Sequence, residues 1–162
     1  MRLLSKGKRC LVVIRVRGVS DVSGDISETL KYLALNKPNH ATIIDDRPSY
    51  LGMLKKVQNH VTWGEISFEN LLELIRKWGR LKGDKRLTDE YAQKLNYGSL
   101  EELVKAIYEC KIDFRSLPDI KPVFRLHPPS KGYKGGVKKS YRAGGSLGYR
   151  GEAINELLKR MI

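Results

Sequence analysis

A run of β-branched residues near the start of the chain limits the fold more than any other feature of the sequence. Residues 9–17, RCLVVIRVR, place Val12, Ile14 and Val16 on one face of an extended chain, while arginines occupy the far end of the other face. Alternation of this kind is typical of a β-strand. We therefore expect a strand whose second face is apolar at one end and basic at the other.

A helix and a second strand follow this run. Asp25 and Glu28 resemble a capping box, with Asp25 capping the helix and Glu28 reaching back. The sequence NKPN at 36–39 ends the helical pattern, because proline and the residue before it disfavour helix. Residues 40–45, HATIID, then favour a strand.

A second helix and a third strand complete this first unit. Asp46 is placed to cap the helix, with Pro48 in its first turn. Residues 61–63, VTW, predict the third strand. The order β-α-β-α-β within residues 1–64 indicates an α+β fold, with a three-stranded sheet that carries both helices on one face.

The pattern of residues 65–116 is helical. Ser67 and Thr88 are placed to cap two amphipathic helices, and Ser99 with Glu102 forms a capping box before a third. Apolar stripes at this spacing are typical of core packing. We expect a helical subdomain inserted after the βαβαβ core.

Residues 117–162 begin as an extended basic segment and end as a helix. Four prolines open the segment, and residues 130–151 contain seven glycines, three tyrosines and six cations. Almost nothing in 130–151 is suited to a core, so this stretch is expected to gain order when a partner wraps it. The closing residues 154–161 have helical apolar spacing and are expected to pack back on the core.

The positive charge is strongly segregated along the chain. The net charge is +13, and residues 1–20 hold six cations without an acid, as residues 120–151 hold eight. The intervening residues 21–120 balance 15 cations against 16 acids. Charges that serve only solubility are expected to be scattered and of both signs. The segregated pattern therefore favours a surface that binds a polyanion.

Sequence signals for catalysis, metal or nucleotide binding are weak. Lys139-Ser140 follows Lys138 where a P-loop requires glycine. The three histidines lack a second ligand at metal-binding spacing, and helix capping explains the adjacent pair Asp45-Asp46 better than a Mg²⁺ site does. We therefore expect neither an enzyme nor a cofactor or metal.

The cysteines and the hydropathy of the sequence favour a protein that resides in a reducing compartment and does not enter a membrane. Cys10 and Cys110 lie far apart in sequence and outside any CxxC pair, so free thiols are favoured over a disulfide or a zinc site. The sequence has neither a signal-peptide pattern nor an apolar run long enough to span a bilayer. A cytoplasmic location is expected.

The basic stretch 130–151 suits RNA better than it suits a nucleotide. Lysine and arginine neutralise phosphates and release counterions. Tyr133, Tyr141 and Tyr149 interleave with these cations and are suited to stacking on bases or sugars. An RNA-processing or RNA-modifying enzyme with a basic arm, or a DNA-compacting protein, remains an alternative class.

Two stretches resemble the ribosomal protein L30 family of the large subunit, in its long archaeal and eukaryotic form, whose eukaryotic member is called L7. They are HATIIDDRPSYLGMLKKVQNHVTWGEI at 40–66 and FRLHPPSKGYKGGVKKSYRAGGSLGYRGEAINELLKRMI at 124–162. With the strand at 9–17, the resemblance covers essentially the whole chain. Eukaryotic members carry a long basic N-terminal extension that this sequence lacks, which favours an archaeal source.

The resemblance implies a fold, a function and a set of contacts. It implies a core related to the ferredoxin-like pattern, and a ribosome-bound structural protein that binds large-subunit ribosomal RNA and neighbouring ribosomal proteins, without a membrane or a small-molecule substrate. The expected RNA contacts are basic or aromatic residues of the first strand, the second helix and the C-terminal segment. They are Lys8, Arg9, Arg15, Arg17, Arg47, Lys55, Lys56, Lys131, Tyr133, Lys134, Lys138, Lys139, Tyr141, Arg142 and Arg150.

Overall fold

A computed structural model describes residues 8–18 and 22–162, so Arg2 and Lys6 of the basic stretch 1–20 lie outside the described part. The chain has the predicted mixed α+β architecture. Its elements are β1 (Cys10–Arg15), α1 (Gly24–Tyr32), β2 (His40–Asp45), α2 (Pro48–Lys56), β3 (Val61–Glu65), α3 (Phe68–Trp78), β4 (Arg80–Leu81), α4 (Asp89–Lys94), α5 (Leu100–Tyr108), β5 (Ile120–Lys121), β6 (Phe124–Arg125), β7 (Gly148–Tyr149) and α6 (Ile154–Lys159), with 3₁₀ turns at Phe114–Ser116, Tyr141–Ala143 and Gly151–Ala153.

The predicted βαβαβ core is confirmed, and two short strands widen its sheet. The strand order is β6-β2-β1-β3-β7. The central β1 pairs antiparallel with β2 and with β3, so β2 and β3 run parallel to each other on either side of it. At the edges, β6 pairs antiparallel with β2 and β7 pairs parallel with β3. Both added strands come from the segment that the sequence predicted to be extended.

Helices cover both faces of the sheet. On one face, Leu11 and Val13 of β1 pack in a cluster with residues of α1 and α2, as predicted for these two helices. On the other face, Cys10, Val12 and Ile14 join a larger cluster with α3, α5 and α6. The second face of β1 is apolar at Leu11 and Val13 and basic at Arg15, as the alternation predicted, and the strand, Arg15 included, is buried throughout its length.

Short polar side chains cap several helices at the predicted positions, and at others the cap differs. Ser67, Thr88 and Ser99 each accept a hydrogen bond from the backbone N–H three residues on, as expected of N-caps. In α1, however, Ser23 takes this role instead of Asp25. The predicted Asp46 cap is also wrong, because α2 begins after Arg47 without a side-chain cap.

The C-terminal segment meets the core at a backbone contact that only glycine permits. Gly64 of β3 is buried, and a Cβ built on it lies 1.9 Å from the carbonyl oxygen of Gly151 and 3.0 Å from Cβ of Ile154. Because the nearest obstacle is backbone, a rotamer change cannot relieve it. The absence of a side chain at position 64 thus lets α6 and the turn before it approach the sheet.

We predict that Gly64→Ala lowers the free energy of unfolding by about 2 kcal/mol, within the range for overpacked core positions. Urea denaturation followed by circular dichroism would measure the change. Gly52→Ala is the matched control, because a Cβ on Gly52 in α2 has nothing within 4 Å. This control should raise the free energy of unfolding by roughly 0.5–1 kcal/mol, since alanine is the better helix former. Equal stabilities of the two variants would contradict the close approach.

Candidate nucleic-acid interface

The glycine-rich stretch 130–151, here called the basic loop, folds back on itself and against the sheet. The backbone N–H of Tyr141 donates to the carbonyl of Leu147 over 2.7 Å, and the N–H groups of Ser146 and Leu147 both donate to the carbonyl of Lys139 over 3.1 Å. The Ser146 hydroxyl donates to the carbonyl of Lys134 over 2.6 Å. The loop therefore has an internal framework of hydrogen bonds, and its backbone is turned so that 138–144 form an exposed tip.

Close packing of backbone against backbone sets the shape of the basic loop. Gly135 has a φ of +75°, and a Cβ added there would lie 1.7 Å from the carbonyl oxygen of Gly144. Most residues cannot adopt this conformation without strain, and none with a side chain would fit beside Gly144. The sequence indicated a stretch without a core, whereas Ser146, Leu147 and Arg150 are in fact buried.

Arg150 anchors the basic loop to β3 from within. Its exposed fraction is 9%. The guanidinium donates to the Thr62 hydroxyl over 2.9 Å and to the carbonyl of Ser146 over 2.8 Å, and it lies 4.9 Å from the centre of the Tyr141 ring. Burial lowers the pKa of Arg150. The side chain is therefore placed to position the loop, and we remove it from the expected RNA contacts.

Five other cations of the basic loop are exposed. Lys134 lies 3.6 Å from the carboxylate of Glu156, and both side chains are largely in solvent. The remaining four make no ion pair with any residue that the structure describes. These four are Lys131, Lys138, Lys139 and Arg142. The loop thus presents a concentrated positive charge that the protein itself does not neutralise.

The three tyrosines proposed for stacking differ in their surroundings. The hydroxyl of Tyr149 donates to the carboxylate of Glu65 over 2.7 Å. Tyr133 is half-buried against the core, its hydroxyl donates to Oδ1 of Asn39 over 2.6 Å, and burial raises the pKa of its hydroxyl to about 12. Tyr141 is 41% exposed at the loop tip. Tyr141 therefore remains available to a base or a sugar, whereas Tyr133 holds the start of the loop against the core.

The two arginines predicted for the first strand also differ from each other. Arg15 is 4% exposed, and its guanidinium donates to the carbonyls of Leu35, Arg17 and Gly18 over 2.7, 2.9 and 3.1 Å. It therefore ties together the chain that leaves β1 and the chain that enters β2, which is a structural role. Arg17 is half-buried just beyond the strand, where its backbone N–H donates to the carbonyl of His60.

The predicted contacts at the opposite end of the sheet are already paired with carboxylates. Arg9 donates to Asp46 over 3.1 Å and to Glu65 over 2.7 Å. Arg47 holds both carboxylate oxygens of Asp45 at 2.8 Å, which keeps the pKa of Asp45 below its ordinary value. Lys8 is exposed beside this network. Charge at this end of the sheet is largely compensated within the protein.

Two lysines end α2, which four residues separate from β3. Lys55 is exposed and has no ion pair within the described residues, whereas Lys56 donates to Asp25 of α1 over 2.6 Å. This end of α2 leads through His60 to the amino end of β3, which β7 and the basic loop border.

A positive potential at this end of the sheet is evident from its histidines. The end comprises the carboxyl end of β1 and the amino ends of β2 and β3, and we call it the basic end. Burial lowers the pKa of His40, and nearby Arg125, Lys37 and Arg15 lower it further. His60 shows the same direction because of burial and the neighbouring Arg17 and Arg15. The basic end thus disfavours an additional positive charge.

The described residues, 8–18 and 22–162, also bear on metal binding and membrane insertion. They contain no cluster of three or more histidine, cysteine, aspartate or glutamate side chains arranged to hold a metal ion. None of their helices is long and apolar enough to cross a membrane.

Sequence reasoning found the basic loop and missed the residues that shape it. The Thr62 hydroxyl accepts from Arg150, and the Asn39 side chain accepts from Tyr133. The Ser146 hydroxyl donates to the carbonyl of Lys134 within the loop. Small polar residues of this kind occur throughout the chain, so a single sequence offers no signal that would single them out.

Comparison with known proteins places this sequence in a family. Residues 11–61 match the family described as Ribosomal protein L30p/L7e. Over most of its length the chain is also similar to archaeal proteins named large ribosomal subunit protein uL30. It is 48% identical to that of Methanopyrus kandleri, over 91% of this chain and 100% of the relative.

Two further relatives show the same extent of similarity. The protein of Archaeoglobus fulgidus is 51% identical over 92% of this chain and 97% of its own length. That of Staphylothermus marinus is 49% identical over 93% of this chain and 96% of its own length. The resemblance carried by residues 40–66 and 124–162 is thereby confirmed, and the chain belongs to the ribosomal protein L30p/L7e family.

Proposed function

We propose that the chain is a structural constituent of the large ribosomal subunit and that its basic end binds and orders large-subunit ribosomal RNA. The relatives at 48–51% identity carry the name of a large-subunit protein, which supports the first part. The family is a structural one without enzymatic activity, in agreement with the sequence. The proposed partners are ribosomal RNA and neighbouring ribosomal proteins, and the proposed location is the ribosome in the cytoplasm.

The observation that carries the RNA proposal is the unneutralised charge of a preorganised loop. Lys138, Lys139 and Arg142 project from a tip whose backbone is fixed by hydrogen bonds and by the buried Arg150. A loop already held in shape loses less conformational entropy on binding than a flexible tail does. Its cations would displace counterions from several phosphates at once.

The proposed contact set is narrower than the sequence suggested. It keeps the exposed side chains and the half-buried Arg17. It leaves out the buried Arg15 and Arg150, and Tyr133, whose hydroxyl is bonded to Asn39. Its members are Arg17, Lys55, Lys131, Lys134, Lys138, Lys139, Tyr141 and Arg142. Lys8, Arg9, Arg47 and Lys56 form a secondary group, because three of them would have to give up carboxylate partners to engage phosphates.

We predict that the triple variant Lys138→Gln, Lys139→Gln, Arg142→Gln binds large-subunit RNA more weakly, with a less steep dependence on salt. If each cation meets one phosphate, the slope of log K against log[salt] should fall by about 2 to 3. Filter binding of the full chain between 50 and 300 mM salt (roughly the range over which such slopes are resolved) would measure it.

Lys94→Gln, Lys105→Gln, Lys111→Gln is the matched control, since it removes the same charge from exposed positions in and beside α4 and α5. Its slope should stay close to that of the wild type. Equal effects of the two triple variants would mean that net charge, and not the loop, controls binding. Competition between duplex DNA and ribosomal RNA would separate the proposal from a DNA-compacting function.

A second prediction concerns the two histidines of the basic end. Their pKa values lie below the ordinary value of 6.5 in the free protein. Phosphates nearby favour the protonated form, so RNA binding should raise both values. NMR titration of the imidazole signals with and without a large-subunit RNA fragment would test this. Unchanged values in a saturated complex would exclude phosphates from the surroundings of His40 and His60.

A third prediction tests whether Arg150 positions the basic loop or contacts RNA directly. Arg150→Gln should lower the free energy of unfolding by about 2–4 kcal/mol, because it leaves buried partners unsatisfied. It should lower RNA affinity through loop disorder, with protease cleavage appearing within 138–144. If Arg150→Gln weakens RNA binding while stability and protease resistance are unchanged, Arg150 is instead a direct contact.

A further inference from the structure

The two-stranded sheet of β4 and β5 brings four cations from the near-neutral residues 21–120 together with two from the basic residues 120–151. We call residues 80–86 and 119–125 the basic ribbon. It holds six cations and two carboxylates, whereas residues 21–120 as a whole balance 15 cations with 16 acids. The cations are Arg80, Lys82, Lys85, Arg86, Lys121 and Arg125. The fold therefore creates a patch that the linear charge pattern conceals.

Strand register in the basic ribbon sets like charges opposite one another. Arg80 is the antiparallel partner of Lys121 in β5, and on its other side it forms an isolated bridge with Arg86. Like charges at directly opposite positions destabilise a strand pair. The carbonyls of Lys77 and Gly79 at the end of α3 accept from Arg80 and offset part of this cost. A bound polyanion would offset more of it.

A cleft opens beside this pairing. It has a volume of about 340 Å³ and is lined by Trp78, Arg80, Asp84, Lys121, Val123 and Arg125. Asp84 is its single carboxylate, at 2.5 Å from Lys121 and 3.8 Å from Arg125. Three cations thus share one acid in the cleft. The exposed Lys82 and Lys85 lie beside it, in the turn between β4 and the bridge residue Arg86.

The basic ribbon lies away from the exposed tip of the basic loop. Only the start of the loop is near it, because Tyr133 bonds to Asn39 beside His40, the strand partner of Arg125. Its Arg125 belongs to β6, at one edge of the five-stranded sheet, while β7 at the end of the basic loop forms the opposite edge. Four strand spacings separate these edges, or roughly 19 Å. A ligand that meets both regions must therefore be extended over that distance.

We propose that the basic ribbon is a second RNA-binding surface, whose cleft accepts a backbone phosphate at Arg125 and Lys121. The inference rests on the proposed function, since it extends the same RNA partner to a second site. RNA fits better than an acidic protein segment, because the aromatic Trp78 lines the cleft among cations and RNA supplies both a regular row of phosphates and stacking surfaces. Two sites on one rigid sheet would reinforce each other through effective concentration.

Charge removal from the exposed part of the basic ribbon tests the proposal. The variant Lys82→Gln, Lys85→Gln, Arg125→Gln spares the partly buried Arg80 and the ion pair of Lys121 with Asp84. In filter binding to large-subunit RNA, we expect the salt slope to fall by about 2 to 3 and the affinity to fall on the order of tenfold. Combination with the basic-loop triple variant should lower the slope further, because the two sites are separate.

The outcomes distinguish the two proposals. If the wild-type chain binds RNA without salt dependence, the proposed function fails. If the basic-loop variant weakens binding while the basic-ribbon variant matches the Lys94, Lys105, Lys111 control, only the second surface is overturned. Circular dichroism of each variant establishes that the fold is retained before binding is compared.

Fluorescence gives a readout at the cleft itself. Trp63 and Trp78 are the two tryptophans of the chain, so Trp63→Phe leaves Trp78 as the sole reporter. RNA should quench Trp78 in this background, and the basic-ribbon substitutions should reduce the quenching at equal occupancy of RNA. If saturating RNA leaves the emission spectrum of Trp78 unchanged, the assignment of the cleft is overturned.

Discussion

Burial of β1 on both faces is the constraint on which the other layers depend. Leu11 and Val13 anchor α1 and α2, while Val12 and Ile14 anchor α3, α5 and α6. Hydrophobic side chains on both faces give strong cohesion, yet they do not define strand register, because a shift by one residue would still bury apolar groups. Arg15 supplies the missing specificity, since a shift would carry its guanidinium away from three carbonyl acceptors. An unpaired buried charge costs several kcal/mol.

The elements were predictable from the sequence, whereas the roles of individual charges were not. Periodicity and caps located the three long strands and most helices, because these depend on neighbours within a few residues. The two-residue strands β4–β7 were not located, because they depend on partners far along the chain. Arg15 and Arg150 look like surface cations in a sequence, and they are buried because carbonyls and a hydroxyl far along the chain accept from them. The cap of α1 shows the same limit at short range, because Ser23 and Asp25 both suit an N-cap and the local geometry selects Ser23.

Charge is distributed by the fold in a way that composition does not reveal. Arg9 and Arg47 are held by carboxylates at one end of the sheet, while the basic loop and Arg17 gather at the other. The exposed side of α3 and α5 carries glutamates such as Glu69 and Glu101 that have no ion pair among the described residues. A field of this kind would orient the protein on a polyanion before contact, with the acidic helices turned away.

The pairing of β7 with β3 also determines when the hydrophobic core can finish folding. Thr62 pairs with Gly148, and the residues of α6 complete the cluster beneath α3. Contacts of such long sequence separation form slowly and only after the intervening chain exists. During synthesis, the sheet face that packs against α3, α5 and α6 remains partly uncovered until residues 148–162 are available. The basic loop is shaped in the same step, so a nascent chain acquires this binding surface at the moment when its core closes.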